Sequence, residues 1–175
     1  EQLLRDCRIT KIYEGTNGIQ AMDLLGRKLG LKKGQAIMDL MGEMQKTIGD
    51  AKEMETLKDM AREIEIALDK LGETATTLGG KAMSEEILNA FANAYPFLEV
   101  CGDLTLAWML LWRAQVACKG LENAKKKDRH FYEGQIKNLA YFVNYVLPIT
   151  TGKMESINKV SSPAVDIHED AFGGK

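Results

Sequence analysis

Few residues in this 175-residue chain combine a reactive type with a position that could use it, and Glu14 stands first among them. It lies in Glu14-Gly15-Thr16-Asn17-Gly18, a run whose glycines and asparagine tolerate backbone angles that helices exclude, so the run reads as a break between helical segments. A carboxylate at such a break can act as a general base if a substrate proton comes within hydrogen-bonding reach. Taken alone, it is more simply a solvated loop glutamate. His130 and His168 have no partner at metal-ligand spacing, and His168-Glu169-Asp170 reads as solvated sooner than zinc-bound, so no metal site is expected. Cys7, Cys101 and Cys118 form no CxxC or CxxH pair, and their odd number argues against a disulfide framework. A reducing compartment, and with it a cytoplasmic location, is the expectation.

The elements that must position Glu14 are helical. Three prolines, at 96, 148 and 163, stand in a chain rich in Ala, Leu, Met, Glu and Lys, and the expected class is all-α. A first helical segment covers about 1 to 12. Asn17 and Gln20 have capping-box spacing at the start of the next helix, whose Ile19, Met22, Leu25 and Leu29 recur at steps of three and four before Gly30, a left-handed stop. Ile37, Met41, Met44 and Ile48 mark one amphipathic stripe, and Leu57, Met60, Ile64, Ala67, Leu71, Ala75 and Leu78 a second. Gly79-Gly80-Lys81 reads as a break, Ser84 as an N-cap, and Pro96 as a kink or division in the apolar segment that follows, from Ile87 to about Gly120. Asp128 is the expected cap of the last long helix, which Pro148 and Gly152 weaken. The economical architecture is an antiparallel bundle of about four main helices over 34–152, preceded by a helix-loop-helix segment over 1–30 and followed by an irregular tail over 153–175.

Several residues invite a functional reading that a plainer one outweighs. Met38, Met41, Met44, Met60 and Met109 read as core filler before a binding groove, and Lys125-Lys126-Lys127 as a solvated turn. Trp108 and Trp112, one helical turn apart, read first as core and second as an interface. With 23 Lys and Arg against 25 Asp and Glu, and a net charge of −2, no basic footprint for nucleic acid exists. The longest strongly apolar run, Leu104 to Trp112, falls short of the roughly 20 residues that cross a bilayer, and no membrane span is expected. Glu1-Gln2-Leu3-Leu4-Arg5-Asp6 does not look like a signal peptide, and Glu at position 1 raises the expectation of processing or of a piece from a longer protein.

Residues 5 to 20 read Arg-Asp-Cys-Arg-Ile-Thr-Lys-Ile-Tyr-Glu-Gly-Thr-Asn-Gly-Ile-Gln, and this run resembles the C-terminal signature of the acyl-CoA dehydrogenases. Arg5-Asp6, Ile9, Ile12, the Tyr13-Glu14-Gly15-Thr16 loop and Ile19-Gln20 fall in the family's order without gaps. The bundle that follows resembles the extra C-terminal domain of a longer-chain bacterial branch.

The resemblance implies FAD-dependent α,β-dehydrogenation of an acyl-CoA thioester to a trans-2-enoyl-CoA. It puts the catalytic base on Glu14, acyl-site contacts on Tyr13 and Gly15, and cofactor contacts on Thr16, Asn17 and Gly18. A glutamate of unperturbed pKa about 4.3 is too weak a base for a carbon acid, so exclusion of water by flavin and acyl chain must raise it. The family also uses the backbone N–H of this glutamate to hold the thioester oxygen. Gly18 departs from the larger polar residue of many members, and Gly26 stands where others place a CoA-binding arginine, so that role is not carried over. An electron-transferring flavoprotein as acceptor, and homo-oligomerisation, are further implications. The chain contains no β-rich flavin-binding domain, so it is expected to be the inactive C-terminal part of the enzyme. The competing reading is a non-catalytic helical module for oligomerisation or partner docking.

Overall fold

The computed structural model describes residues 1–11, 15–159 and 161–173. Helix α1 (Gln2–Asp6) runs into a 3-10 turn (Cys7–Lys11), and beyond the loop α2 (Asn17–Asp23) continues through a π turn (Leu24–Lys28). A basic 3-10 turn (Leu31–Gly34) leads to the long helices α3 (Gln35–Lys52) and α4 (Lys58–Ala82). After the short α5 (Ile87–Ala92) come α6 (Ala94–Leu121) and α7 (Lys126–Tyr141); a π turn (Phe142–Val146) joins α7 to α8 (Leu147–Asn158). A short α9 (Pro163–Asp166) and a 3-10 turn (Glu169–Phe172) end the described chain. No strand occurs among the described residues, and the all-α expectation holds.

Four helical rods, α3, α4, α6 and α7–α8, make the bundle, because each carries apolar residues at helical spacing along one side. Helix α4 buries Ala61, Ile64, Leu68, Leu71 and Leu78, with Leu57 buried at its N-cap; α6 buries Phe97, Val100, Leu104, Ala107, Leu111 and Ala114. Leu139, Phe142, Val143, Leu147, Met154 and Ile157 supply the α7–α8 side. Cross-bonds pin the register. Trp108 Nε1 donates to Thr47 Oγ1 at 2.8 Å and Gln115 Nε2 to the Thr47 carbonyl at 2.7 Å, locking α6 to α3. Buried Thr150 donates to Asp103 Oδ2 at 2.8 Å, and Lys153 pairs with Glu99 at 3.2 Å, so sequence numbers rise along α6 as they fall along α8 and the two are antiparallel. Lys70 and Glu155 tie α4 to α8 at 2.5 Å.

Helix α6 is long and apolar enough, by length and composition, to meet the requirement for crossing a membrane. Its packing accounts for one side of that apolarity: its core residues face three other helices of the bundle, and its Asp103 and Gln115 bond to α8 and α3. The opposite side leaves Leu106, Met109, Trp112 and Val116 exposed.

Local expectations fail where packing overrides chain preference. The pair Gly79-Gly80 does not break α4, which runs to Ala82: Leu78 is fully buried, and such anchoring offsets the roughly 1 kcal/mol that each helical glycine costs. Pro148 perturbs the last helix, as expected, without ending it: the π turn immediately before it loosens the backbone where the proline ring would clash. The irregular tail therefore does not begin at 153; α8 reaches Asn158, with Met154 and Ile157 in the core. Gly30 is right-handed, and the left-handed residues are Lys32, Lys33 and Gly34. Thr16, not Asn17, occupies the N-cap of α2, so the Asn17–Gln20 capping box is out of register. Asp128 lies within the first turn of α7, and Lys125 occupies the N-cap position without a side-chain capping bond. Ser84 caps no helix directly; its Oγ accepts the Glu86 N–H in a turn before α5. Pro96 behaves as expected, in the first turn of α6 just after the division at Asn93.

Leu111, fully buried on the central helix, sets the expected scale of core damage: Leu111→Ala should destabilise the chain by about 2–5 kcal/mol. Ile66→Ala, at a position 60% exposed, should stay within about 0.5 kcal/mol of wild type. Urea unfolding followed by circular dichroism measures both.

Candidate functional site

The candidate site begins where α2 begins. Tyr13 and Glu14 lie outside the described residues. Gly15 and Thr16 form the irregular link into α2, and Thr16 adopts a left-handed conformation, φ 60° and ψ 43°. A β-branched residue in that region carries strain of about 1–3 kcal/mol, which persists only where the surroundings impose it. Thr16 Oγ1 donates to the Gly15 carbonyl at 2.5 Å, and the Thr16 carbonyl accepts the Gln20 N–H at 3.0 Å in the first turn of the helix.

Two residues fix this helix to the bundle. Ala21 and Leu25, one turn apart, are 1% and 5% exposed and form part of the core. The opposite face stays open: residues 15 to 20 are all exposed, as are Ile19 at 65% and Met22 at 54%. Gly15, Thr16, Asn17 and Gly18 are thus brought together on one accessible corner at the start of α2. A Cβ at Gly18 would meet nothing within 4 Å, and one at Gly15 only the Asn17 side chain at 4.0 Å, so both glycines leave space for a ligand atom.

Farther along α2, the position expected for an arginine in other family members is closed. A Cβ on Gly26 would sit 3.1 Å from the Phe91 ring of α5, so a long side chain there would have to displace that ring. The neighbouring Arg27 is engaged elsewhere: Nε and the Nη2 group bind Asp23 at 2.6 and 2.9 Å, with Lys28 3.3 Å from the same carboxylate. The Arg27 hydrogen bond, aided by Lys28, holds the Asp23 carboxyl down at about 2.

The other reactive groups make no second centre. Burial pushes the Cys101 thiol up to about 12 and also raises Cys118, which keeps both as uncharged, poorly nucleophilic thiols. His130 faces Glu133 at 3.4 Å and His168 faces Asp170 at 3.3 Å, each on exposed surface. Among the described residues, no three His, Cys, Asp or Glu side chains gather as a metal site would require. Sequence reasoning missed the left-handed Thr16 and the contact between Gly26 and Phe91. A threonine carries no local signal for left-handed backbone, and a contact across 65 residues leaves no periodicity to read.

The fold and this corner define an all-α bundle that presents a strained turn at the head of a surface helix. The model of the family described as acetyl-CoA dehydrogenase C-terminal like matches residues 40–168, and the chain belongs to that family. Among curated relatives it is similar to a broad-specificity linear acyl-CoA dehydrogenase of Mycobacterium tuberculosis, 30% identical over 178 residues covering 98% of this chain and 29% of the relative. It is also similar to a butyryl-CoA dehydrogenase of Syntrophomonas wolfei, 27% identical over 98% of this chain and 28% of the relative. A 3-methylmercaptopropionyl-CoA dehydrogenase of Ruegeria pomeroyi is 34% identical over 83% of this chain and 24% of the relative. The chain spans less than a third of the length of these relatives, and it corresponds to their C-terminal part.

The Asp23 carboxyl offers a direct check of the local electrostatics. Its folded pKa is depressed, so its contribution to stability is present above the ordinary value of 3.8 and is lost as pH falls through about 2. Carboxyl NMR should give an Asp23 midpoint near 2, moving up toward the ordinary value in Arg27→Ala.

Proposed function

We propose that the intact protein is an FAD-dependent acyl-CoA dehydrogenase in which Glu14 takes the α-proton of an acyl-CoA thioester, with a trans-2-enoyl-CoA as product. The observation that carries the reading is the ordered run from Arg5 to Gln20, which puts a glutamate directly before the exposed Gly15–Thr16 turn. The names of relatives aligned over nearly the whole chain support it.

In this reading Glu14 has two tasks. Its carboxylate is the base, raised from the ordinary range once substrate and cofactor displace water. Its backbone N–H helps hold the thioester oxygen as negative charge develops. Tyr13 lies along the acyl group, and Gly15 allows close approach. Thr16, Asn17 and Gly18 hold the cofactor, and their open corner, with no atom near a Gly18 Cβ, fits a large anionic group. Bound FAD supplies the two-electron acceptor for the β-hydrogen. An electron-transferring flavoprotein then serves as oxidant of the intact enzyme. The remaining walls of both sites come from outside this chain.

The bundle has a second task, packing protomers together. The exposed Leu106, Met109, Trp112 and Val116 on α6 favour it, since apolar and aromatic side chains of this kind are enriched at interfaces.

The test of Glu14 uses the full-length protein with Glu14→Gln and follows flavin bleaching by acyl-CoA without oxygen. Reduction should slow by about 10²–10⁴-fold or more with flavin still bound. Unchanged reduction would reject Glu14 as the base.

A further inference from the structure

Along the seam between α4 and the α7–α8 rod run two hollows of about 370 and 310 Å³, which share Glu63, Val143 and Pro148 as walls and so form one groove. Neither the exposed α6 stripe nor the Gly15–Thr16 turn contributes a residue to it. Its floor is apolar, with Met60 from α4 facing Val143 and Leu147 from the other rod. Its charge has one sign: Asp59, Glu63 and Glu155 line it, and no lysine or arginine does. Asp59 pairs with Arg62 at 3.2 Å and Glu155 with Lys70 at 2.5 Å. Both acids are exposed, and exposed pairs are held weakly enough to exchange for an incoming cation. Glu63, which belongs to both hollows, joins no ion pair or side-chain hydrogen bond among the described residues.

The backbone adds another acceptor. Leu147 N–H donates to the Phe142 carbonyl, five residues back, and not to Val143. The same π register would offer Val143 the N–H of residue 148, but that residue is proline and has none. The Val143 carbonyl is thus left without a helical donor, between two residues that wall the groove. Acceptors of this kind call for donors that carry positive charge. Hydrocarbon lies beside them: Ile66 in the wall is 60% exposed, and Tyr145 and Ile149, each next in sequence to a lining residue, are 65% and 63% exposed. A small inorganic cation would leave that surface in water, whereas a chain with apolar residues beside its cations covers it. Two hollows in line also suit an extended occupant.

We propose that this groove docks a basic amphipathic segment of a partner protein, one arginine seated against Glu63 and the Val143 carbonyl and apolar residues laid on Ile66, Leu147 and Pro148. Arginine suits the seat better than lysine, since its planar guanidinium has five N–H donors and can serve a carboxylate and a carbonyl together. The docking does not depend on the role assigned to Glu14.

Gly152 provides a way to occupy the groove from within. It borders one hollow, and a Cβ there would meet nothing within 4 Å, so Gly152→Arg introduces a competing cation without crowding the core. The experiment titrates this chain into a fluorescein-labelled helical peptide of leucine, alanine and arginine, about four turns long, and follows anisotropy. A comparison peptide carries citrulline, an uncharged isostere, at every arginine. Saturable one-to-one binding of the arginine peptide is expected, weakened about ten-fold in Glu63→Gln, as loss of a charged hydrogen bond predicts. Gly152→Arg should weaken it at least as much, and Gly152→Ala should leave it intact. Glu43→Gln makes the same charge change on α3, outside the groove, and should leave affinity within about two-fold. Circular dichroism verifies the helical fold of each variant, and Gly152→Arg decides the matter should Glu63→Gln unfold. Absent saturable binding, binding indifferent to Glu63→Gln and Gly152→Arg, or an equal loss in Glu43→Gln overturns the proposal. Equal affinity for the citrulline peptide overturns the assignment of a cation. Displacement by spermidine at concentrations no higher than the peptide's overturns the peptide occupant in favour of a small polyamine.

Discussion

The structure depends on the buried side of α6. Phe97, Val100, Leu104, Ala107, Leu111 and Ala114 lie along it at helical spacing and are effectively sealed from solvent, and α3, α4 and α7–α8 close around them. Alternation of large and small residues on this side lets the neighbouring rods approach closely. The few polar groups near it are used in pairs: Gln115 with the Thr47 carbonyl, Trp108 with the Thr47 hydroxyl, Asp103 with Thr150. Burial drives the association, and these bonds fix which turn meets which.

The same packing reaches the candidate site through α2. Ala21 and Leu25 join the core, so the orientation of α2 follows from the bundle, and the Gly15–Thr16 turn is held at its exposed end. The chemistry proposed for Glu14 thus rests on a rigid helix supported from below and on partners that must approach from above. In the function proposed for the intact protein, the bundle holds one side of a site whose other sides lie elsewhere.

Much of the fold was legible because periodicity reports burial. Met44 and Ile48, and Ile64, Ala67, Leu71 and Leu78, were read from spacing and lie in the core. Local boundary signals were poorer guides. Gly79-Gly80 and Pro148 act as helix breakers in isolation, but a helix anchored by Leu78 or by Met154 and Ile157 continues through them. The left-handed turn fell on Lys32 and Lys33 rather than on Gly30 because the approach to α3 determines the path, whatever residues occupy it. The Glu14 motif was legible only as a resemblance, since a loop glutamate has no physical signature in sequence. The groove beside Pro148 was invisible there, as its walls come from segments far apart along the chain.

The central claim is that this chain folds by itself around α6 and carries one side of a flavin site without the rest. The most direct measurement compares visible absorbance and far-ultraviolet circular dichroism of the purified chain and of the full-length protein. The account predicts a fully helical, colourless chain beside a yellow full-length protein. A chain that purifies with stoichiometric flavin would contradict it, as would one that becomes helical only when joined to the remainder.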